Sequence, residues 1–117
     1  MPYVMSYNSG LMDSTFGEVK RYARIARLIK VDTDTVNGSA ASLIRTIRHY
    51  NTELDIPVKI KDAGIDEAQF LAVIDEMTQS ALDDACTRTN PRKCSFDDIK
   101  KVFEFAYYGT TNKAARV

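Results

Sequence analysis

The 117-residue chain is predicted to be all-α, a small bundle of four to five helices with irregular connections. Three observations predict it. Apolar residues recur at three- and four-residue spacing through four long segments. Those segments open on hydroxyl, acidic or small residues and close near glycine or proline. No stretch alternates apolar and polar residues as a strand would, and there is no internal repeat or low-complexity tract.

The elements follow in order. Residues 1–8 carry apolar side chains at Met1, Val4 and Met5 and aromatic ones at Tyr3 and Tyr7, enough for one or two helical turns ending at Asn8-Ser9-Gly10. Residues 10–17 read as a loop. The spacing predicts a helix over 18–30, with Tyr22, Ile25, Ala26 and Ile29 as its core stripe and Lys20, Arg24 and Arg27 on a solvated face. After a polar turn, a helix is predicted over 39–54, with Ala40, Leu43, Ile44, Ile47, Tyr50, Asn51 and Leu54 toward the core. Ile56-Pro57 breaks it, because a residue before proline is pushed out of the helical region. Pro57 then opens a short turn that ends at Gly64. Asp66, with Gln69 three residues on, starts a helix over 67–82 with Phe70, Val73, Ile74, Met77 and Ala81 on one face. Asn90-Pro91 marks a second break. Ser95 and Asp98 form a capping-box variant ahead of a helix over 96–108, whose stripe is Ile99, Val102, Phe103 and Ala106 and whose stop is Gly109. Residues 110–117 are polar and expected to be frayed.

Length predicts a single helical domain over 1–117, large enough to bury roughly 65% of its unfolded surface. Sixteen basic and sixteen acidic residues leave no net charge, so nothing supports a general role on nucleic acid or anionic membrane. Hydrophobic content of 44% and charged content of 27% place the chain among ordinary soluble globular sequences. Cys86 and Cys94 are the only cysteines, too few for a disulfide scaffold. With no apolar run of membrane-spanning length and no leader-like N-terminus, a cytoplasmic location is expected.

Little chemistry is legible. His49 is the only histidine, and one histidine with scattered carboxylates cannot close a metal shell, so no metal ion is expected within the chain. His49 reads as a surface or structural residue. Asp75-Glu76 and Asp83-Asp84 are adjacent pairs that point to different faces of a helix, which is poor geometry for shared acid-base work. No phosphate-binding glycine loop is present, and no nucleophile-base pair is suggested by spacing.

The order Ala81-Leu82-Asp83-Asp84-Ala85-Cys86-Thr87, Asn90-Pro91-Arg92 and Asp98-Ile99 resembles the C-terminal signature of the iron-containing alcohol dehydrogenases. Three further pieces agree in order: Pro2 with Val4, Met5 and Asn8; Arg21-Tyr22-Ala23-Arg24-Ile25-Ala26; and Leu54 with Ile56-Pro57 and Ala63-Gly64-Ile65. The resemblance covers nearly the whole chain. Tyr3 departs from the histidine common after the first proline, and Arg88 and Thr89 stand where many members carry small residues.

This resemblance implies a parent enzyme that interconverts an alcohol and an aldehyde with NAD(P) and a divalent iron or zinc ion. The metal would polarise the substrate oxygen while the cofactor exchanges hydride. In complete members the metal is held by an Asp and three His on earlier helices, and the cofactor by an N-terminal domain. None of these lies in 1–117, so the chain is expected to be a C-terminal helical part, inactive alone, with neither cofactor nor metal bound. It also implies that Cys86, Thr87 and Asn90 line the cleft between the two domains; Cys86 as a small buried hydrophobe is the alternative. Partners are expected to be the remainder of the enzyme or a second copy, giving a homodimer through uncovered apolar residues of the terminal helices, among them Val4, Met5, Tyr7 and part of the 96–108 stripe. A free-standing helical interaction or self-association module without catalysis is the other reading.

Overall fold

A computed structural model describes residues 1–14 and 17–110. Five α-helices form it: α1 (Pro2–Ser9), α2 (Val19–Leu28), α3 (Val36–Glu53), α4 (Glu67–Asp83) and α5 (Phe96–Tyr108). Short 3-10 helices precede and follow α4, at Lys61–Ala63 and Ala85–Thr89. No strand occurs among the described residues, so the all-α expectation holds. The chain divides into two compact units, Met1–Ile56 and Pro57–Val117. The tail expected to fray lies, beyond Thr110, outside the described residues.

The first unit is a three-helix assembly in which α2 and α3 pack along each other and α1 touches both. Pro2 sits in the first turn of α1, where its missing N–H costs nothing, and Gly10 ends the helix in the left-handed region at φ 84°. Tyr3, Tyr7, Ala23, Ala26, Ala40, Leu43 and Ile44 make the core. The Arg48 guanidinium lies 5.5 Å from the centre of the Tyr3 ring.

The core stripe expected for α2 is only partly correct. Ala26 is fully buried, but Ile25 and Ile29 stand outward and Ala23 takes the inward place. The reason is steric. Ala23 and Ala26 of α2 and Ala40 of α3 are buried in the helix pair, small side chains permit a close approach, and larger aliphatic residues such as Ile25 and Ile29 stand outward. On α3 the expected core residues Tyr50 and Leu54 are exposed, whereas Ala40, Leu43 and Ile44 are buried. At 18 residues, α3 outruns the 10 of α2. Its last turns therefore extend beyond that neighbour, at 1.5 Å per residue.

The start of α3 also differs from expectation. Thr35, not the region of Ser39, is the cap, and its hydroxyl accepts from the Gly38 N–H at 2.9 Å. Ser39 is buried instead and is tied to Thr33 in both directions: the Thr33 N–H donates to its Oγ at 2.9 Å, and its hydroxyl donates to the Thr33 carbonyl at 3.1 Å.

The second unit is built on α4 and α5. Phe70, Ile74 and Tyr107 are its buried centre, with Ile60, Phe103 and Tyr108 packed around them. Phe70 stacks on Tyr107 at a centroid distance of 4.3 Å. Two tyrosines fasten the end of α5 to the start of α4: the Tyr107 hydroxyl donates to the Ile65 carbonyl at 3.0 Å, and the Tyr108 hydroxyl to Glu67 Oε1 at 2.6 Å. Val73, expected in the core, is 43% exposed, because the inward line of α4 runs Phe70, Ile74, Thr78 at four-residue steps. Both predicted starts are seen, Asp66 accepting from the Gln69 N–H at 2.9 Å and Ser95 exchanging hydrogen bonds with Asp98.

The apolar surface expected on the terminal helices is mostly elsewhere. Tyr7 is buried, Met5 is half-buried, and Ile99, Val102, Phe103 and Ala106 are all half-buried; only Val4 of the named residues is exposed.

Candidate functional site

Among the residues implicated by sequence, Cys86, Thr87 and Asn90 come together on the connection from α4 to α5. Helix α4 stops because Asp84 turns extended. Its carboxylate then caps the following 3-10 turn, accepting from the Cys86 N–H at 2.7 Å. The Thr87 hydroxyl reaches back to the Ala81 carbonyl in the last turn of α4. The Thr89 hydroxyl donates to the Cys86 carbonyl at 2.9 Å, and the Asn90 N–H to the Thr87 carbonyl at 3.2 Å. The Asn90 side-chain amide donates to the Arg92 carbonyl, bracing the backbone across Pro91.

The three residues therefore differ in what they present. Thr87 and Asn90 are half-buried, and each uses a side-chain donor on a backbone carbonyl inside this stretch. Cys86 is exposed, on a turn whose backbone is fixed by Asp84 and Thr89. Sequence reasoning named Cys86, Thr87 and Asn90 but gave no part to Asp84. The available signal was an acidic residue two positions before the cysteine, the spacing of an Asx turn.

Cys94 lies beyond the loop and is half-buried. Burial pushes its thiol pKa up, and the nearby Asp98 carboxylate pushes in the same direction. Asp98 is itself held below the usual carboxylate range, first by the Ser95 backbone hydrogen bond, with Lys101 and Arg92 adding favourable charge.

The remaining titratable residues stand apart from this loop. His49 is exposed on α3, its Nε2 4.0 Å from Glu53. Asp75 pairs with Lys100 of α5 at 2.6 Å, and Asp83 accepts from Gln79. Among the described residues, no three His, Cys, Asp or Glu side chains converge as metal ligands, so these residues do not fit a divalent metal ion. Nor is there a strand among them to build a dinucleotide-binding sheet. No helix among them is long and apolar enough to cross a membrane.

What the arrangement offers is a braced surface turn with an exposed thiol, carried by two capped helices. Comparison with known proteins gives the family. Residues 1–107 match the family described as the Fe-containing alcohol dehydrogenase family, C-terminal. A NADPH-dependent butanol dehydrogenase of Clostridium saccharobutylicum is 37% identical over 110 residues, which is 94% of this chain and 27% of that protein. An alcohol dehydrogenase of Thermococcus barophilus is 36% identical over 108 residues, 92% of this chain and 25% of that protein. A lactaldehyde reductase of Escherichia coli strain K12 is 31% identical over 109 residues, 92% of this chain and 26% of that protein. The chain thus belongs to the iron-containing alcohol dehydrogenase family and corresponds to its C-terminal part. It spans about a quarter of the length of these relatives.

Proposed function

We propose that this chain serves as the C-terminal helical part of an NAD(P)- and metal-dependent alcohol dehydrogenase or aldehyde reductase, and that residues 1–117 do not turn over substrate by themselves. One observation carries the reading: the family match runs through residues 1–107, yet the described residues hold no convergent set of metal ligands. In this reading the two compact units belong to one helical domain, completed by the rest of a cytoplasmic enzyme. The braced turn lies at the edge of the substrate cleft, where Cys86, Thr87 and Asn90 line the wall and Asp84 fixes their backbone. Thr87 and Asn90 are positioning residues there, since their side chains already hold the loop.

An assay of the purified chain with a short-chain aldehyde, either reduced nicotinamide dinucleotide and added iron(II) or zinc tests the central point. No oxidation of the dinucleotide above the buffer rate is expected. Sustained turnover would overturn the reading. A helical self-association module without catalysis is the second reading, favoured by the exposed aliphatic residues Ile25, Leu28 and Ile29 on α2.

A further inference from the structure

Helix α2 leaves an aliphatic stripe uncovered. Ile25, Leu28 and Ile29 are 46%, 75% and 47% exposed. Spaced i, i+3, i+4, they share one face. Arg21 and Arg24 border that face, each four residues before one of its members. Arg21 is engaged with Glu18 at 3.2 Å. Lys20, Arg24, Arg27 and Lys30 are exposed and have no acidic partner among the described residues. The helix therefore offers an apolar centre with a basic margin.

Helix α4 is its electrostatic complement. With its flanking caps it carries Asp66, Glu67, Asp75, Glu76, Asp83 and Asp84 and no basic residue. Of these acids only Asp75 is in an ion pair, with Lys100. The outward side of α4 also exposes aliphatic surface, Leu71 at 52% beside Ala72. The chain is neutral as a whole, so two copies approach without net repulsion.

We propose that the α2 face docks on α4 of a second copy of this chain. The residue spacing suits an antiparallel register. In α2 a cation precedes a leucine by four residues, Arg24 and Leu28; in α4 the small residue Ala72 precedes Glu76 by four, with Leu71 adjacent. Laid antiparallel, one turn of each helix matches the other: Leu28 seats against Leu71 and Ala72 while Arg24 meets Glu76. Neither Arg24 nor Glu76 has an ion pair to give up. A contact centred on two helices is smaller than the roughly 1,600 Å2 of a standard interface, so the association is weak. The proposal stands apart from the catalytic reading, because association and turnover are measured separately.

Sedimentation velocity of the 117-residue chain over roughly 1–200 μM, at about 0.05 M and about 0.5 M salt, tests it. Reversible self-association that grows with concentration and weakens at high salt is expected. Arg24→Glu and Glu76→Arg should each weaken it at least about tenfold, and the double variant should return it to within about threefold of the parent. Leu28→Ser should weaken it at both salt concentrations. Circular dichroism checks that each variant keeps its helices; all three substitutions fall on exposed positions. A monomer throughout the range, or an association indifferent to both charge reversals, would overturn the proposal, as would two reversals whose effects simply add.

Discussion

Thr78 shows how a single side chain escapes a reading based on polarity. It is fully buried, yet it was absent from the expected face of α4 because its hydroxyl marks it as polar. That hydroxyl donates to the Ile74 carbonyl one turn back at 2.7 Å, so it enters the interior already satisfied. Thr87 and Asn90 are similar cases: their spacing in the loop was legible, but not that each spends a donor on a particular carbonyl. The two cysteines give a test at this scale. The thiolate is the nucleophile, and Cys94 is half-buried with its pKa raised by burial and by Asp98, whereas Cys86 is exposed. Peptide-resolved labelling with a maleimide near neutral pH should modify Cys86 several-fold faster. Equal rates, or a faster Cys94, would remove the distinction and weaken the case for Cys86 as a cleft-facing thiol.

At the level of elements, legibility followed the caps. Gly10, Gly64 and Gly109 occupy left-handed backbone where the sequence put helix or turn ends, and Asp66 and Ser95 open α4 and α5 as expected. The ends of α2 and α3, expected near 30 and 54, carry no glycine: non-glycine residues take the left-handed position there, Lys30 at φ 60° and Asp55 at φ 54°. Each is followed by a residue whose N–H closes the turn, Val31 to the Ala26 carbonyl at 2.9 Å and Ile56 to the Asn51 carbonyl at 2.8 Å. The capping box of α5 makes a measurable prediction. Ser95→Ala should cost about 1 kcal/mol of stability. The Asp98 half of the box depends on pH. Its folded pKa is depressed, so its contribution is present above the unfolded value of about 3.9 and is lost as pH falls through the lower folded value. Asp98→Asn should therefore be less stable than the parent near neutral pH, with the gap closing under acid. Urea unfolding at several pH values measures it; a gap that widened on acidification would contradict the assignment.

Across the whole molecule, composition and periodicity sufficed for the all-α class but not for the orientation of α2. Its stripe of Tyr22, Ile25, Ala26 and Ile29 is a sound helical pattern, and only the alanine became fully buried. Periodicity reports that a helix has an apolar side; it does not report which neighbour, if any, covers it. In the second unit the pattern was more nearly sufficient, since Phe70 and Ile74 were named and only Tyr107 was missed. That unit rests on one aromatic stack, so Phe70→Ala should cost about 3–5 kcal/mol. Against a net stability of about 5–15 kcal/mol for a small domain, that is a large share. Urea titration followed by circular dichroism should show the loss; a change below about 1 kcal/mol would mean that the cluster is not the centre of that unit.

The join between α1 and α2 has a consequence for engineering the chain. The Glu18 N–H donates to the Asn8 carbonyl at 2.8 Å, and the Met12 N–H to the Ser6 carbonyl at 2.9 Å. A Cβ placed at Gly17 would fall 2.5 Å from the Gly10 nitrogen and 2.7 Å from the Asn8 oxygen, against backbone that cannot yield. Both ends of the connection are thus fastened, while Asp13 and Ser14 are exposed between them. That exposed pair is a splice point: a flexible epitope inserted between Asp13 and Ser14 lengthens a loop whose ends are already fastened, at about 0.6 kcal/mol per doubling of its length. The same addition beside Gly17, or even Gly17→Ala, would pry the first helix from the second. Thermal melts of the two kinds of variant, one displaced by a few degrees and the other by far more, would mark where foreign sequence can be carried.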